Sequence, residues 1–467
     1  MLTLGIDSST QGVKAVAWDV AAQRVVFSAS VNYGKDMPPY GSPDGFLPND
    51  DVLVRHADPR MWIEGLELVL ARLQATGCPM SEIAAIGGDA QQHASVYLES
   101  LDPLVFSRKT SPIWMDSSTS AEVAALDAKF GGRLQTDTGS PAIERFAGPQ
   151  IMKFAKEDSE GYAKTKRIHL LSSFLASYLV GEDMPIDTGD GAGMNLLNLK
   201  TGDWDDEICE FTAPGLREKL PKVVGGREDE RRKTEDASGV KPLAERFARF
   251  GLCPGIPVVP FTGDNPASLV GCFAEKPGTA VISLGTSDVV FAAMDSFHTD
   301  PDGYGHVFGN PMGGFMSLSC FKNGSLARDR VRRELGVDWT FFDETAWGNR
   351  TIEQFEQSNN SLRAYPYFES EITPKHDATG IEANFDWNSA AADVKIRAIV
   401  EGQIANMYER ARWIGAFDTI RVTGGASCSK GIRETIARVF GARVSVLDVN
   451  DSAAVGGARL AACAVER

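Results

Sequence analysis

Residues 2–19 read LTLGIDSSTQGVKAVAWD, and residues 278–295 read GTAVISLGTSDVVFAAMD. Each stretch holds an apolar run, a turn of small Ser, Thr and Gly residues, and a second apolar run ending in aspartate. Two such runs around a tight turn predict a β-hairpin. Aligning Ser9-Thr10-Gln11 with Gly285-Thr286-Ser287 superimposes the two stretches. Strand–turn–strand is common, but two copies, each opening one half of the chain, point to a duplicated α/β domain. A boundary at residue 258 then gives an N-terminal domain, 1–258, and a C-terminal domain, 259–467.

Outward from the first hairpin, VVFSASV (25–31) reads as a third strand and Met61 to Ala75 as a helix. IAAIGGDA (83–90) reads as a buried strand and QQHASVYL (91–98) as a second one. Thr119 to Phe130 and Thr165 to Val180 have helical spacing, the first capped by Ser118 or Thr119. In the second half, Val394 to Gly415 predicts a long helix and TIRVTGGAS (419–427) a strand entering a glycine turn. GIRETIARVFG (431–441), RVSVLD (443–448) and SAAVGGARLAACAVE (452–466) predict a helix, a strand and a final helix. Strands alternating with helices favour a largely parallel sheet with helices around it. Residues 214–243, which include REDERRKTED, are charge-rich and read as a solvated surface loop or edge.

Composition removes several classes of function. The 467 residues are 43% hydrophobic and 24% charged, ordinary values for globular domains with sizeable cores. With 47 Lys and Arg against 63 Asp and Glu, the net charge is −16. That field repels nucleic acid and anionic lipid, so neither is expected as a partner, though a small anion can still be held locally. The apolar stretch Leu170 to Val180 is too short to span a bilayer. The seven cysteines are scattered and never spaced C-x-x-C, which argues against a disulfide framework or zinc site and for a cytoplasmic protein. G-x-x-x-x-G-K-[ST], H-E-x-x-H and a strand-borne G-x-G-x-x-G are all missing.

Several strand ends carry chemistry. Asp7 precedes the small hydroxyl turn at Ser8–Gly12, which suits phosphate contact beside an Mg²⁺ held through water; it also reads as a satisfied turn aspartate. Asp264 in Gly263-Asp264-Asn265-Pro266 stands at a carboxyl strand end, where open α/β sheets bind ligands, and is a candidate general base. The plainer reading there is a helix start with Asn265 as cap and Pro266 at the first turn. Gln91-Gln92-His93 suits recognition of several hydroxyls. Trp114-Met115-Asp116 sets an aromatic beside a carboxylate, as sugars favour. Gly424-Gly425-Ala426 leaves room for close approach of a flat nucleotide.

The ordered set LGIDSSTQGVKAVAWD, GGDAQQHASVYL, PIWMDSSTSAE, SPAIERFAGPQI, PIDTGDGAGMNLL, VVPFTGDNPASLVG, AVISLGTSDVVF, CFKNGSL and RVTGGASCSKGIRETIARVFG spans the whole chain. It resembles the FGGY family of carbohydrate kinases. The resemblance implies two actin-like (ribonuclease-H-like) ATPase domains with an interdomain cleft, the first binding sugar and the second ATP. It implies transfer of the γ-phosphoryl group of Mg²⁺-bound ATP to a sugar hydroxyl, with D-xylulose as the sugar. By the same resemblance, Asp264 is the catalytic base, and His93, Arg145, Asn265, Gln92 and Asp116 hold the sugar. Asp7 lies at the metal. Thr10, Gln11, Gly285 and Thr286 form phosphate hairpins, and Trp339, Gly424, Gly425, Ala426 and Ser429 meet the nucleotide. The chain departs from the family at Asp89-Ala90, where a smaller pair is usual, and at Ala94, where Gly is usual. Ser429 stands where relatives often carry Asn. A homodimer is the expectation for oligomeric state. The competing readings are a kinase of L-xylulose, D-ribulose or a related polyol, and a non-catalytic actin-like ATPase or sugar sensor.

Overall fold

The structure, a computed structural model, describes residues 1–225, 239–347, 362–447 and 451–465. Of the charge-rich stretch 214–243, residues 226–238 lie outside the described residues; the remainder holds a short helix, Leu216–Lys219, and the two-residue strands Val223–Val224 and Lys241–Pro242.

Both sequence hairpins form. In the first half, β1 (Leu2–Ser8), β2 (Gly12–Asp19) and β3 (Arg24–Asn32) make an antiparallel meander. After helix α1 (Pro59–Ala75), β4 (Ile83–Ala90) inserts parallel to β1. Strands β5 (Ser95–Ser100) and β6 (Arg167–Leu170) pair in a small separate sheet, and α2 (Leu171–Val180) follows. The main sheet is completed by β7 (Lys241–Pro242), β8 (Pro257–Val258) and β9 (Thr262–Gly263), the last two parallel to β4. Helix α3 (Asp264–Gly271) leads out of it.

The second half repeats the plan. Strands β10 (Thr279–Leu284) and β11 (Asp288–Met294) form the hairpin, flanked by β12 (His306–Gly309) and β13 (Phe315–Phe321). Helices α4 (Ser325–Glu334), α5 (Trp339–Trp347) and α6 (Ala392–Ala411) precede β14 (Thr419–Thr423), which runs parallel to β10. Helix α7 (Lys430–Phe440), β15 (Arg443–Val446) and α8 (Ser452–Val465) end the described chain. The sheet orders are β7-β8-β4-β1-β2-β3, with β9 also on β4, and β12-β13-β11-β10-β14-β15. In each, the first hairpin strand separates an antiparallel meander from inserted parallel strands. The shared topology is the structural counterpart of the sequence repeat.

Two expectations are corrected. The sheets are mixed rather than largely parallel, because a short hairpin turn returns the chain antiparallel and each half opens with one. Residues 165–170 do not extend the helix: Arg167–Leu170 pairs with β5, and only Leu171–Val180 is helical. A short apolar run has no periodicity that separates buried strand from helix. Strand β9 joins the first sheet at 262–263.

The last helix returns to the first sheet. Its Ala454-Val455-Gly456-Gly457-Ala458 segment brings backbone onto backbone. A Cβ on Gly456 would stand 1.9 Å from the Ala267 carbonyl oxygen of α3, and one on Gly457 2.6 Å from the Gly88 Cα of β4. Thr3 Oγ1 on β1 donates to the Ala458 carbonyl at 2.9 Å. The run of Ala and Gly is what permits this approach.

Candidate active site

Parallel register gathers the acids of the first half. Asp7 on β1 stands opposite Asp89 on β4, and Asp89 stands opposite Thr262 on β9. All three sit at the carboxyl ends of their strands. One residue later the chain turns at Gly263 into α3, whose first residue is Asp264.

Asp264 is held by its neighbours. The Asn265 backbone N–H and side-chain Nδ2 donate to Asp264 Oδ1 at 2.8 and 3.0 Å. The same Nδ2 donates to Gln92 Oε1 at 3.0 Å. Asn265 is thus more than a helix-start residue: its amide joins the carboxylate to the glutamine. Burial, followed by the charge of Asp7, pushes the Asp264 carboxyl up to about 7, against the donors on Asn265 and Gln92. Burial likewise raises Asp7 to about 6. Asp89 and Asp190 lie well above the usual carboxylate range, burial again being the main cause.

His93 is buried at a left-handed φ of 70° and stacks on Phe146 with ring centroids 4.3 Å apart. Its Nδ1 lies 2.9 Å from the Gly193 carbonyl, so Nδ1 carries the proton and Nε2 is left as an acceptor. Burial, then the Arg145 charge, hold the imidazole down at about 3 and therefore neutral. Burial, then Arg145, act in the same way on His306, also near 3, whose Nδ1 meets Ser140 Oγ at 3.1 Å. His306 begins β12, so the edge strand of the second sheet backs the pocket of the first.

Asp116 is a correction. Its Oδ1 accepts from Ser118 N, Ser118 Oγ and Gln150 Nε2, and its Oδ2 from Arg55 N, with His56 Nε2 at 3.4 Å. It is fully buried, so no oxygen remains for a sugar; it ties the 50s loop to the helix at Ala147–Glu157. Its neighbour Trp114 donates from Nε1 to Thr10 Oγ1 at 2.7 Å, reaching the first hairpin turn, where Gln11 is exposed.

The second group gathers in the other half. The turn Gly285–Ser287 leaves Thr286 exposed and packs against Gly324, where a Cβ would meet the Thr286 carbonyl oxygen at 2.8 Å. Strand β14 runs in register with β10 up to Ser283↔Thr423, which sets Gly424 beside the hairpin, with φ 90° and space for no Cβ near Leu284. Gly424 and Gly425 are exposed and Ala426 half-buried. Ser429 caps α7 by accepting from Ile432 N at 3.2 Å and donates its hydroxyl to Asp343 of α5. That hydroxyl is committed to the fold. Trp339, exposed, opens α5 beneath the Arg332 guanidinium at 5.0 Å.

Sequence reading missed Asp190 and His306 as site residues and gave Asp89 only as a departure from the family pattern. Asp190 accepts from Ser172 Oγ at 2.5 Å and has an unpartnered Oδ1. A lone buried acid carries no spacing signal; strand register and long-range packing assemble these groups.

A duplicated pair of mixed sheets, with carboxylates at the strand ends of one half and exposed glycine turns in the other, defines a two-domain actin-like α/β fold. The N-terminal model of the FGGY family of carbohydrate kinases matches residues 2–271 and its C-terminal model residues 280–465. The chain belongs to the FGGY family of carbohydrate kinases. Residues 272–279, past β9, separate the two models. Similar curated proteins include a xylulose kinase of Rattus norvegicus, 38% identical across 97% of this chain and 87% of that protein, and xylulose kinase 2 of Arabidopsis thaliana, 34% identical across 99% and 87%. Among solved structures, a xylulose kinase of Bifidobacterium adolescentis has a TM-score of 0.81 at 22% identity, covering 100% of this chain and 93% of that one. A glycerol kinase of Plasmodium falciparum with ADP has a TM-score of 0.78 at 16% identity, covering 100% and 90%. These two likenesses concern the fold.

Proposed function

We propose that this chain transfers the γ-phosphoryl group of ATP to the 5-hydroxyl of D-xylulose, with Asp264 as general base. The observation that carries the reading is the Asp264–Asn265–Gln92 chain of hydrogen bonds beside His93, in a protein 38% identical to a xylulose kinase.

An alcohol is a poor nucleophile at neutral pH. As its oxygen bonds to the γ-phosphorus and the bond to the β-phosphate oxygen breaks, its proton passes to Asp264 and then to water. A carboxyl raised to about 7 is suited to receive it. His93 Nε2 accepts from one sugar hydroxyl, while Arg145 and the unpartnered Gln92 Nε2 donate to others. Thr10, Gln11 and the Gly285–Thr286 turn would meet phosphates, and Gly424–Ala426 with Trp339 would meet adenosine. Asp116 and the hydroxyl of Ser429 are left out, being used by the fold.

Mg²⁺ fits the edge at Asp7, whose buried Oδ1 has no hydrogen-bond donor. Among the described residues no three His, Cys, Asp or Glu side chains form a metal cage; Mg²⁺ commonly takes one or two carboxylates and completes its shell with water and phosphate. Bound, it would neutralise charge on the transferring phosphates.

Among the described residues no helix is long and apolar enough to cross a membrane. Cytoplasmic residence and a homodimer belong to this proposal. The dimer rests only on the frequency of two-fold dimers among soluble oligomers. Light scattering that returns one chain's mass would remove it.

The test is ADP release with Mg²⁺ and ATP, using D-xylulose, L-xylulose, D-ribulose, glycerol and no sugar. Selective stimulation by D-xylulose, lost in Asp264→Ala, supports the proposal. Selective stimulation by another sugar moves the substrate. Equal release in every arm rejects the kinase reading in favour of an ATPase.

A further inference from the structure

We propose that Asp89 and Asp7 together form a two-carboxylate platform that binds a divalent cation, Mg²⁺ or Mn²⁺, before any nucleotide arrives. The proposal deepens the kinase reading and rests on it only for the direction in which Asp7 faces.

Asp89 is fully buried; its side chain meets the carboxyl of Asp7 in a hydrogen bond, and no N–H or hydroxyl donor reaches either of its oxygens. Two buried carboxyls that meet chiefly each other cannot both ionise without a cation between them, because an uncompensated buried charge is costly. Asp89 stands in parallel register with Asp7 on the adjacent strand, about 5 Å away across the sheet, and paired residues share one face. Asp7 Oδ1 is buried and without a donor as well. On the other side of Asp89 in the register, Thr262 Oγ1 is a further buried oxygen with no partner. Three neighbouring strands therefore present unsatisfied oxygens in a row at one sheet edge.

One protein cation acts on the row: the charge of Lys14 favours ionised Asp7. Lys14, opposite Asp7 on β2, is ion-paired with Asp451. The remaining charged groups around the row, Asp264 and Asp190, are acids. The unpartnered amide nitrogen of Gln91 is a donor that can hold a water of a hydrated ion. Two carboxylates and a hydroxyl, all hard oxygens, with water completing the shell, match the habit of Mg²⁺ and Mn²⁺. With Gly or Ala at position 89 only Asp7 would remain, and a cation would depend on the nucleotide's phosphates for its second anionic ligand. Asp89 supplies that ligand from the protein.

The experiment is a titration of nucleotide-free, sugar-free protein with Mn²⁺, followed by electron paramagnetic resonance of the free ion. One Mn²⁺ should bind per chain, with Mg²⁺ competing, and Asp89→Asn and Asp7→Asn should each weaken it by about tenfold or more, because affinity follows ligand charge. Circular dichroism establishes that each variant is folded; if Asp89→Asn is not, Asp89→Ala takes its place. An independent reading is the apparent Tm of the wild type, which should rise with Mg²⁺ alone. Absence of Mn²⁺ binding at millimolar concentration overturns the proposal. So does an Asp89→Asn protein that binds Mn²⁺ like the wild type, the result expected if the two carboxyls only share a proton. Neither result touches the kinase reading, which ADP release decides separately.

Discussion

A carboxylate that takes a proton from an alcohol works best when its own pKa lies near the working pH. Burial and Asp7 bring Asp264 to about 7, and the two Asn265 donors hold its Oδ1 in place. Asp264→Asn should lower kcat by about 10²–10⁴ while sugar and ATP still bind, measured by steady-state kinetics with equilibrium binding alongside. The base acts when deprotonated. In the wild type kcat/KM should therefore fall as pH drops through about 7, and a profile flat from pH 8 to 5.5 would remove Asp264 from the role. The limb belongs jointly to Asp264 and the coupled Asp7. His93 offers a separate test. Its φ of 70° makes Asn the least strained replacement, since Asn tolerates that region. His93→Asn removes the Nε2 acceptor and should raise the sugar KM about 10–100-fold with a smaller change in kcat. Unchanged sugar KM would mean that the pocket lies elsewhere. At this scale the sequence was legible where residues act in contiguous motifs, as at Gly263–Asn265 and Gln92-His93. It misled at Asp116, because the donors that occupy that carboxylate come from Arg55 and Gln150, far away in the chain.

Elements were readable where a local pattern decides them. The hairpins, β4, α1 and the last helix follow from periodicity and turn residues alone. Strand β6 was not, because its form depends on pairing with β5. Nor was the destination of the last helix, although its Ala-Val-Gly-Gly-Ala segment records how closely it must pack. That segment carries the next prediction. A Cβ on Gly456 would overlap the Ala267 carbonyl at 1.9 Å, backbone that no rotamer can relieve. Gly456→Val should cost about 1–3 kcal/mol or more of stability by overpacking. Gly132→Ala, at a position with nothing within 4 Å, serves as the matched control. Urea unfolding of both variants reads the difference; equal midpoints would mean that α8 is not seated on the first sheet.

Across the whole molecule, the site sets function against stability. The duplication was visible because both halves open on the same hairpin, whereas the meeting of the halves depends on contacts such as His306 with Ser140 that no local pattern encodes. The acids assembled at the first sheet's edge are useful as charges and unfavourable as buried charges. For Asp264 the sign is definite. Its folded pKa of about 7 lies above its ordinary 3.8, so between these values the folded state holds a proton that the unfolded state has lost. Stability through this group is therefore full below about pH 4 and declines as pH rises through 7, by up to about 1.4 kcal/mol per pH unit. Asp264→Asn removes the charge and with it the decline. Without divalent cation, the variant should melt at a higher temperature than the wild type at pH 8, and the gap should narrow steadily towards pH 5. Scanning calorimetry at the two pH values measures it. A gap of the same size at both would show that Asp264 is ordinarily solvated rather than raised by burial, and the acid limb assigned to it in kcat/KM would have to arise from another group.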